Sequence, residues 1–174
     1  MSKAVSAAAR VLAVSRVAPV PAPVGYAGHE KLSFLDAPWV VTPPVQQVYL
    51  YELAGCHEFP TLLRRLKESL AATLALYLPL AGKLAYAPET GDVVVDCSDA
   101  GVEFFEAEAE GNVRRLAGDD EAQNAPAFLS LVPKHDAREL PAAVLCVQVT
   151  RLGEGAGASA GLALGVSLHH AVAD

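Results

Sequence analysis

One long amphipathic helix stands in a chain otherwise written in strands, and that ratio sets the fold class. Apolar residues fall at Phe59, Leu62, Leu63, Leu66, Leu70, Leu74 and Tyr77, the spacing that lines one helical face. Pro60 suits a first turn, where a missing N–H costs little. Arg64, Arg65, Lys67 and Glu68 occupy the opposite face, and Pro79 is expected to end the helix. The remaining segments read as strands: 10–18, 45–53, 102–107, 143–152 and 162–169. Residues 84–86 and 93–97 form a hairpin around the turn residues 88–92. Gly82 is read as permitting a backbone conformation that other residues avoid. Segment 108–142 is mixed, with a short helix near 113–122. The expectation is an α/β domain, a mixed β-sheet with packed helices.

Composition narrows the function classes. At 174 residues, 52% apolar and 19% charged, the chain can bury one real core and is not disordered. Mean hydropathy of +0.30 is high for a free-standing domain, so some apolar surface is expected to face another half. Net charge is −7 and the pI about 5.2, which argues against a nucleic-acid partner. The acidic residues Glu103, Glu106, Glu108, Glu110, Asp119, Asp120 and Glu121 read as a solvated face, with no metal site expected. The cysteines are Cys56, Cys97 and Cys146. An odd number with no C-x-x-C pair rules out a full disulfide framework and fits a reducing, cytoplasmic compartment. All three are expected to be buried structural thiols.

No apolar run reaches transmembrane length, so no membrane partner is expected. The first segment lacks acidic residues before Glu30 and carries Lys3, Arg10 and Arg16 among Ala, Ser and Val, a transit-peptide-like composition. A strand running into Pro19, Pro21 and Pro23 explains it better, because period and proline breaks are the stronger signals.

The chemistry concentrates in the last residues, His169-His170-Ala171-Val172-Ala173-Asp174. On the last strand Leu162, Leu164, Val166, Leu168 and His170 share one face by the period-two rule, and Ala163, Gly165, Ser167 and His169 share the other. Only one of the two histidines can then serve a given site. His170 opens an H-x-x-x-D spacing and is the candidate general base, since an imidazole takes a proton from a hydroxyl or amine near neutral pH. Asp174 is placed to hold that histidine or to brace the loop. Short strings of this kind also arise by chance. His169 is read as structural. His29, His57 and His135 fall in loops, with no partner that sequence identifies. There is no G-x-S-x-G elbow, no P-loop and no Rossmann glycine fingerprint. The Gly-rich 153–161 segment is read as a linker.

Four stretches occur in order: LSFLDAPW (32–39), PPVQQVYLYEL (43–53), LKESLAATLALYLPLAGKL (66–84) and HHAVAD (169–174). Together with RVLAVSRVAPVP at the start, they resemble the N-terminal half of the plant BAHD acyltransferases. The likeness is nearest to the anthocyanin and phenolic-glucoside malonyl- and hydroxycinnamoyl-transferases, and it recasts the transit-like segment as the family's first strand. The resemblance implies a chloramphenicol-acetyltransferase-like domain, one half of a two-domain enzyme with a channel between the halves. It implies acyl-CoA as co-substrate, with no bound cofactor and no metal. It also implies a small phenolic, glucoside or amine acceptor and a monomeric full-length form. In the resembling enzymes the histidine matching His170 deprotonates the acceptor, and the aspartate matching Asp174 is mainly structural. Trp39 and the 80–84 stretch match positions read as scaffold.

The second motif of the family, D-F-G-W-G, is absent, as is the glycine that follows the aspartate. The expected organisation is therefore an N-terminal acyltransferase domain over 1–174, stopping at the motif, without the C-terminal domain. Two other readings stay open. One is a catalytically inactive fragment acting as a binding or regulatory module. The other is a condensation-type acyltransferase of the same superfamily, against which the LSFLDAPW and LPLAGKL stretches argue.

Overall fold

The computed structural model describes residues 8–22, 28–53, 58–118, 125–153 and 161–172. The amphipathic stripe forms helix α1, Phe59–Leu76, with Pro60 in its first turn. Leu63 and Leu74 are buried on its inner face, and Phe59, Leu62, Leu66 and Leu70 pack beside them. The outer face carries the Arg64–Glu68 pair at 2.7 Å, one helical turn apart. Lys67 leaves the helix to meet Glu106 at 2.6 Å and lies over the Phe104 ring. The helix stops before Pro79. Tyr77 caps it, exposed rather than in the stripe, and Pro79 belongs to a separate 3-10 turn, Leu78–Ala81.

The inner face of the helix shares one core with residues of two sheets. The larger is built from β1 (Arg10–Val17), β3 (Val45–Glu52), β6 (Val102–Glu110), β8 (Leu145–Gly153) and β9 (Gly161–Leu168). It has five strands in the order β1-β6-β8-β9-β3. β6 and β8 run parallel and the other pairs antiparallel. The smaller holds β2 (His29–Lys31), β4 (Lys83–Ala87), β5 (Asp92–Asp96) and β7 (Ala142–Ala143). It has four antiparallel strands in the order β2-β5-β4-β7.

The period-two reading of the last strand holds through Leu168. Leu162 is buried in one core with Leu63, Leu74, Phe104, Val147 and Val149, and Leu164, Val166 and Leu168 pack against it. Ala163 on the opposite face joins Val113, Leu116, Leu131 and Leu152. The central strands are thus covered on both sides, whereas the edge strand β1 exposes Val11, Leu12 and Val14.

Several expectations need correction. The helix expected near 113–122 is shorter, α2 at Val113–Ala117, and a further helix α3 spans Ala125–Ser130. The 143–152 strand is not continuous. It breaks at Val144, whose N–H donates to the Gly82 carbonyl and whose carbonyl accepts from the His169 N–H. Gly82 has an ordinary extended backbone, and its reason is proximity. An added Cβ would lie 2.6 Å from Val95 Cγ1 and 2.9 Å from Cys97 Sγ. His29 lies in strand β2, not in a loop.

Candidate active site

The site forms where the two sheets meet. β9 ends at Leu168 because the next N–H, that of His169, turns away to the Val144 carbonyl at 2.8 Å. The Val172 N–H then closes back onto the His169 carbonyl at 3.0 Å. His170 therefore sits in a turn and does not continue the Leu162–Leu168 face, as simple alternation had it. The outcome for the pair is nevertheless a division of surroundings: His169 is fully buried and His170 is half-buried.

His170 lines a cavity of about 280 Å³ with Glu30, Lys31, Asp36, Trp39 and Val95. The indole of Trp39 stacks on the imidazole, with ring centroids 4.5 Å apart and planes 6° from parallel. Trp39 reaches this position from a 3-10 turn, Ala37–Val41, with Pro38 as its second residue. The Asp36 carboxylate accepts the Ser33 N–H at 3.0 Å and fixes the approach to that turn. Trp39, a scaffold position by resemblance, is in ring contact with the candidate base. The clue available in the sequence was the Pro-Trp step and the fact that this is the chain's one tryptophan.

The Nδ1 atom of His170 is buried without a hydrogen-bond partner. That leaves Nε2 as the nitrogen able to meet a solute in the cavity, and a neutral imidazole presenting Nε2 can take up a proton. Lys31 on the rim is committed to Asp92 at 2.8 Å. Hydrogen bonding from Lys31, then from Thr90, lowers the Asp92 pKa.

Behind the turn lies a second group of polar residues. His135 bridges Ser167 Oγ at 3.0 Å and the Ala143 carbonyl at 2.7 Å, so it has partners that the sequence did not reveal. Its ring meets His169 edge-on at 6.4 Å. Burial, and next the neighbouring His135, hold the His169 pKa below the ordinary histidine value. Gln148 donates to the Ser130 carbonyl and to Thr150 Oγ1. Asp174, Cys56 and His57 lie outside the described residues. Cys97 and Cys146 are buried thiols. Burial, with a smaller contribution from Glu103, pushes the Cys146 pKa up to about 12, which makes it an unreactive thiol. Among the described residues no group of three or more His, Cys, Asp or Glu side chains is arranged to hold a metal. No helix among them is long and apolar enough to cross a membrane.

The chain has known relatives. A malonyl-CoA:anthocyanidin 5-O-glucoside-6''-O-malonyltransferase of Arabidopsis thaliana is 39% identical over 147 residues, covering 82% of this chain and 31% of that protein. Phenolic glucoside malonyltransferase 2 of the same plant is 31% identical over the same shares. The chain thus spans about a third of the length of these relatives. The crystal structure of vinorine synthase superposes with a TM-score of 0.66 at 24% identity, covering 95% of this chain and 39% of that one. The model of the transferase family matches residues 21–174, and the chain belongs to that family, the BAHD acyltransferases.

Proposed function

We propose that this segment carries the general base of an acyl-CoA-dependent acyltransferase, and that His170 is that base. The observation that carries the reading is the placement of His170. Its ring lines a cavity at the junction of the sheets, stacked on Trp39, with Nδ1 buried without a partner. The donor is an acyl-CoA, with malonyl-CoA the first to test. The acceptor is a hydroxyl or amine of a plant phenolic or flavonoid glucoside, in keeping with the names of the two malonyltransferases.

The chemistry closes without a metal or a resident cofactor. Nε2 takes the acceptor proton as the oxygen or nitrogen attacks the thioester carbonyl. The tetrahedral intermediate collapses, the C–S bond breaks, and the imidazolium returns the proton to the departing CoA sulfur. The products are an ester or amide and free CoA. Asp174 braces the turn beyond His170 and does not itself move a proton. This segment forms one wall of the reaction channel and a second α/β half supplies the other, in a monomer working in the cytoplasm.

The test is His170→Ala in the full-length protein, assayed with malonyl-CoA and coumaroyl-CoA against a panel of flavonoid glucosides. Losing a positioned general base costs about 10²–10⁴ in rate, with thermal melting unchanged. Turnover near that of the wild type would remove His170 from the mechanism.

A further inference from the structure

We propose that His169 is a positioning residue for His170, acting through the lone pair on its Nδ1; this rests on the reading of His170 as the base. His169 surrounds its neighbour with hydrogen bonds. Its backbone N–H donates to the Val144 carbonyl at 2.8 Å, and its carbonyl accepts the Val172 N–H at 3.0 Å. Its ring Nδ1 accepts the Ala171 N–H at 3.2 Å. The residues on both sides of His170 are thereby tied to one fully buried side chain and its backbone.

The hydrogen bonds fix the protonation of that ring. A backbone N–H can only donate, so Nδ1 of His169 must be bare and the neutral ring carries its proton on Nε2, a nitrogen buried without a hydrogen-bond partner. The residue behind it is fixed by the same logic. The Ala143 carbonyl can only accept, so His135 carries its proton on Nε2 and leaves Nδ1 to accept from the Ser167 hydroxyl. His135 then presses edge-on against His169 and backs the ring that holds the turn. A side chain that accepts the N–H two residues ahead is doing the work an Asx turn assigns to asparagine or aspartate. Asparagine therefore replaces the acceptor at position 169, whereas leucine fills space and supplies none.

The loss expected is one of rate. Displacing a catalytic group by about 1 Å can cost about 10²-fold, and the cavity that receives substrate is lined by His170, not by His169. His169→Leu in the full-length protein should lower kcat by about 10–10²-fold, with KM within about twofold. His169→Asn should recover most of that loss. Wild-type kcat in His169→Leu, or equal losses in the leucine and asparagine variants, would overturn the proposal. Should the leucine variant fail to fold, 15N NMR of the wild-type imidazoles decides. Protonation of His169 on Nε2 supports the assignment, and protonation on Nδ1 defeats it. His170→Ala in the same assay separates the two readings. Normal turnover there defeats the base assignment. A dead His170→Ala beside an unimpaired His169→Leu defeats the positioning role alone.

Discussion

The two sides of the β9 terminus differ in how their polar groups are satisfied. Behind the turn, His135, Ser167, Gln148 and Thr150 are joined to one another or to backbone carbonyls, and only Nε2 of His169, among the side-chain nitrogens and oxygens described there, is buried without a partner. In front, His170 has a ring stacked on it, a buried nitrogen without a partner and an open cavity. Buried polar groups without partners are costly and are tolerated where function requires them. On the proposed reading the back of the strand serves placement and the front serves chemistry.

The contrast can be broken most directly by perturbing each side and reading both rate and stability. His170→Ala should cost turnover and spare melting. Gly165→Ala should do the reverse. A Cβ at Gly165 would run into the Leu131 carbonyl oxygen and lie 2.8 Å from Val132 Cα, and backbone cannot swing aside as a side chain can. Overpacking of this kind costs about 1–3 kcal/mol, and each kcal/mol lowers Tm by roughly 2–4 °C in a domain of this size. An unchanged melt in Gly165→Ala would show that the back of β9 is looser than described.

A smaller effect is expected from Trp39. Aromatic stacking contributes about 0.5–1.5 kcal/mol beyond area burial, so Trp39→Ala should lower kcat by up to about tenfold. Trp39→Phe, which keeps an aromatic face, should lose less. Equal activity in all three proteins would reduce the indole to a wall of the cavity.

The smallest effect is a dependence on pH. His169 is held neutral by burial and by its neighbours His135 and His170, so its folded pKa lies below the ordinary 6.5. A depressed histidine contributes its full stability above the unfolded value and loses it as pH falls through the folded one. Melting of the wild type should therefore fall below about pH 6.5 more steeply than that of His169→Asn, which has no ring to protonate. Parallel curves would mean that His169 gains its proton without strain.

Much of the frame was legible in the sequence because it rests on periodicity. The stripe of α1, the hairpin of β4 and β5 and the two faces of β9 are local patterns, and local sterics enforce them. His170 was legible through its spacing to Asp174 and the ordered stretches around it. What the sequence hid depends on partners far along the chain. The break at Val144 is set by Gly82 and His169. The end of β9 is set by that same break, so alternation extended one step too far. The Trp39 stack joins residues that no local pattern connects. His135 found its partners only because Ala143 and Ser167 are brought to it.

The register of the large sheet also bears on how the protein is made. β3 pairs with β9 and β1 with β6, so Val45 faces Leu168 and Arg10 faces Glu108. A ribosome delivers β3 long before its partner, and closing so long a loop carries an entropic cost before any contact rewards it. Until β9 emerges, Val48 and Leu50 have no Ala163 to meet, and the turn bearing His170 has no strand to grow from. The site therefore assembles only after β9 has paired with β3. During synthesis the nascent chain carries β3 as an unpaired strand, its edge open to other partners until β9 arrives.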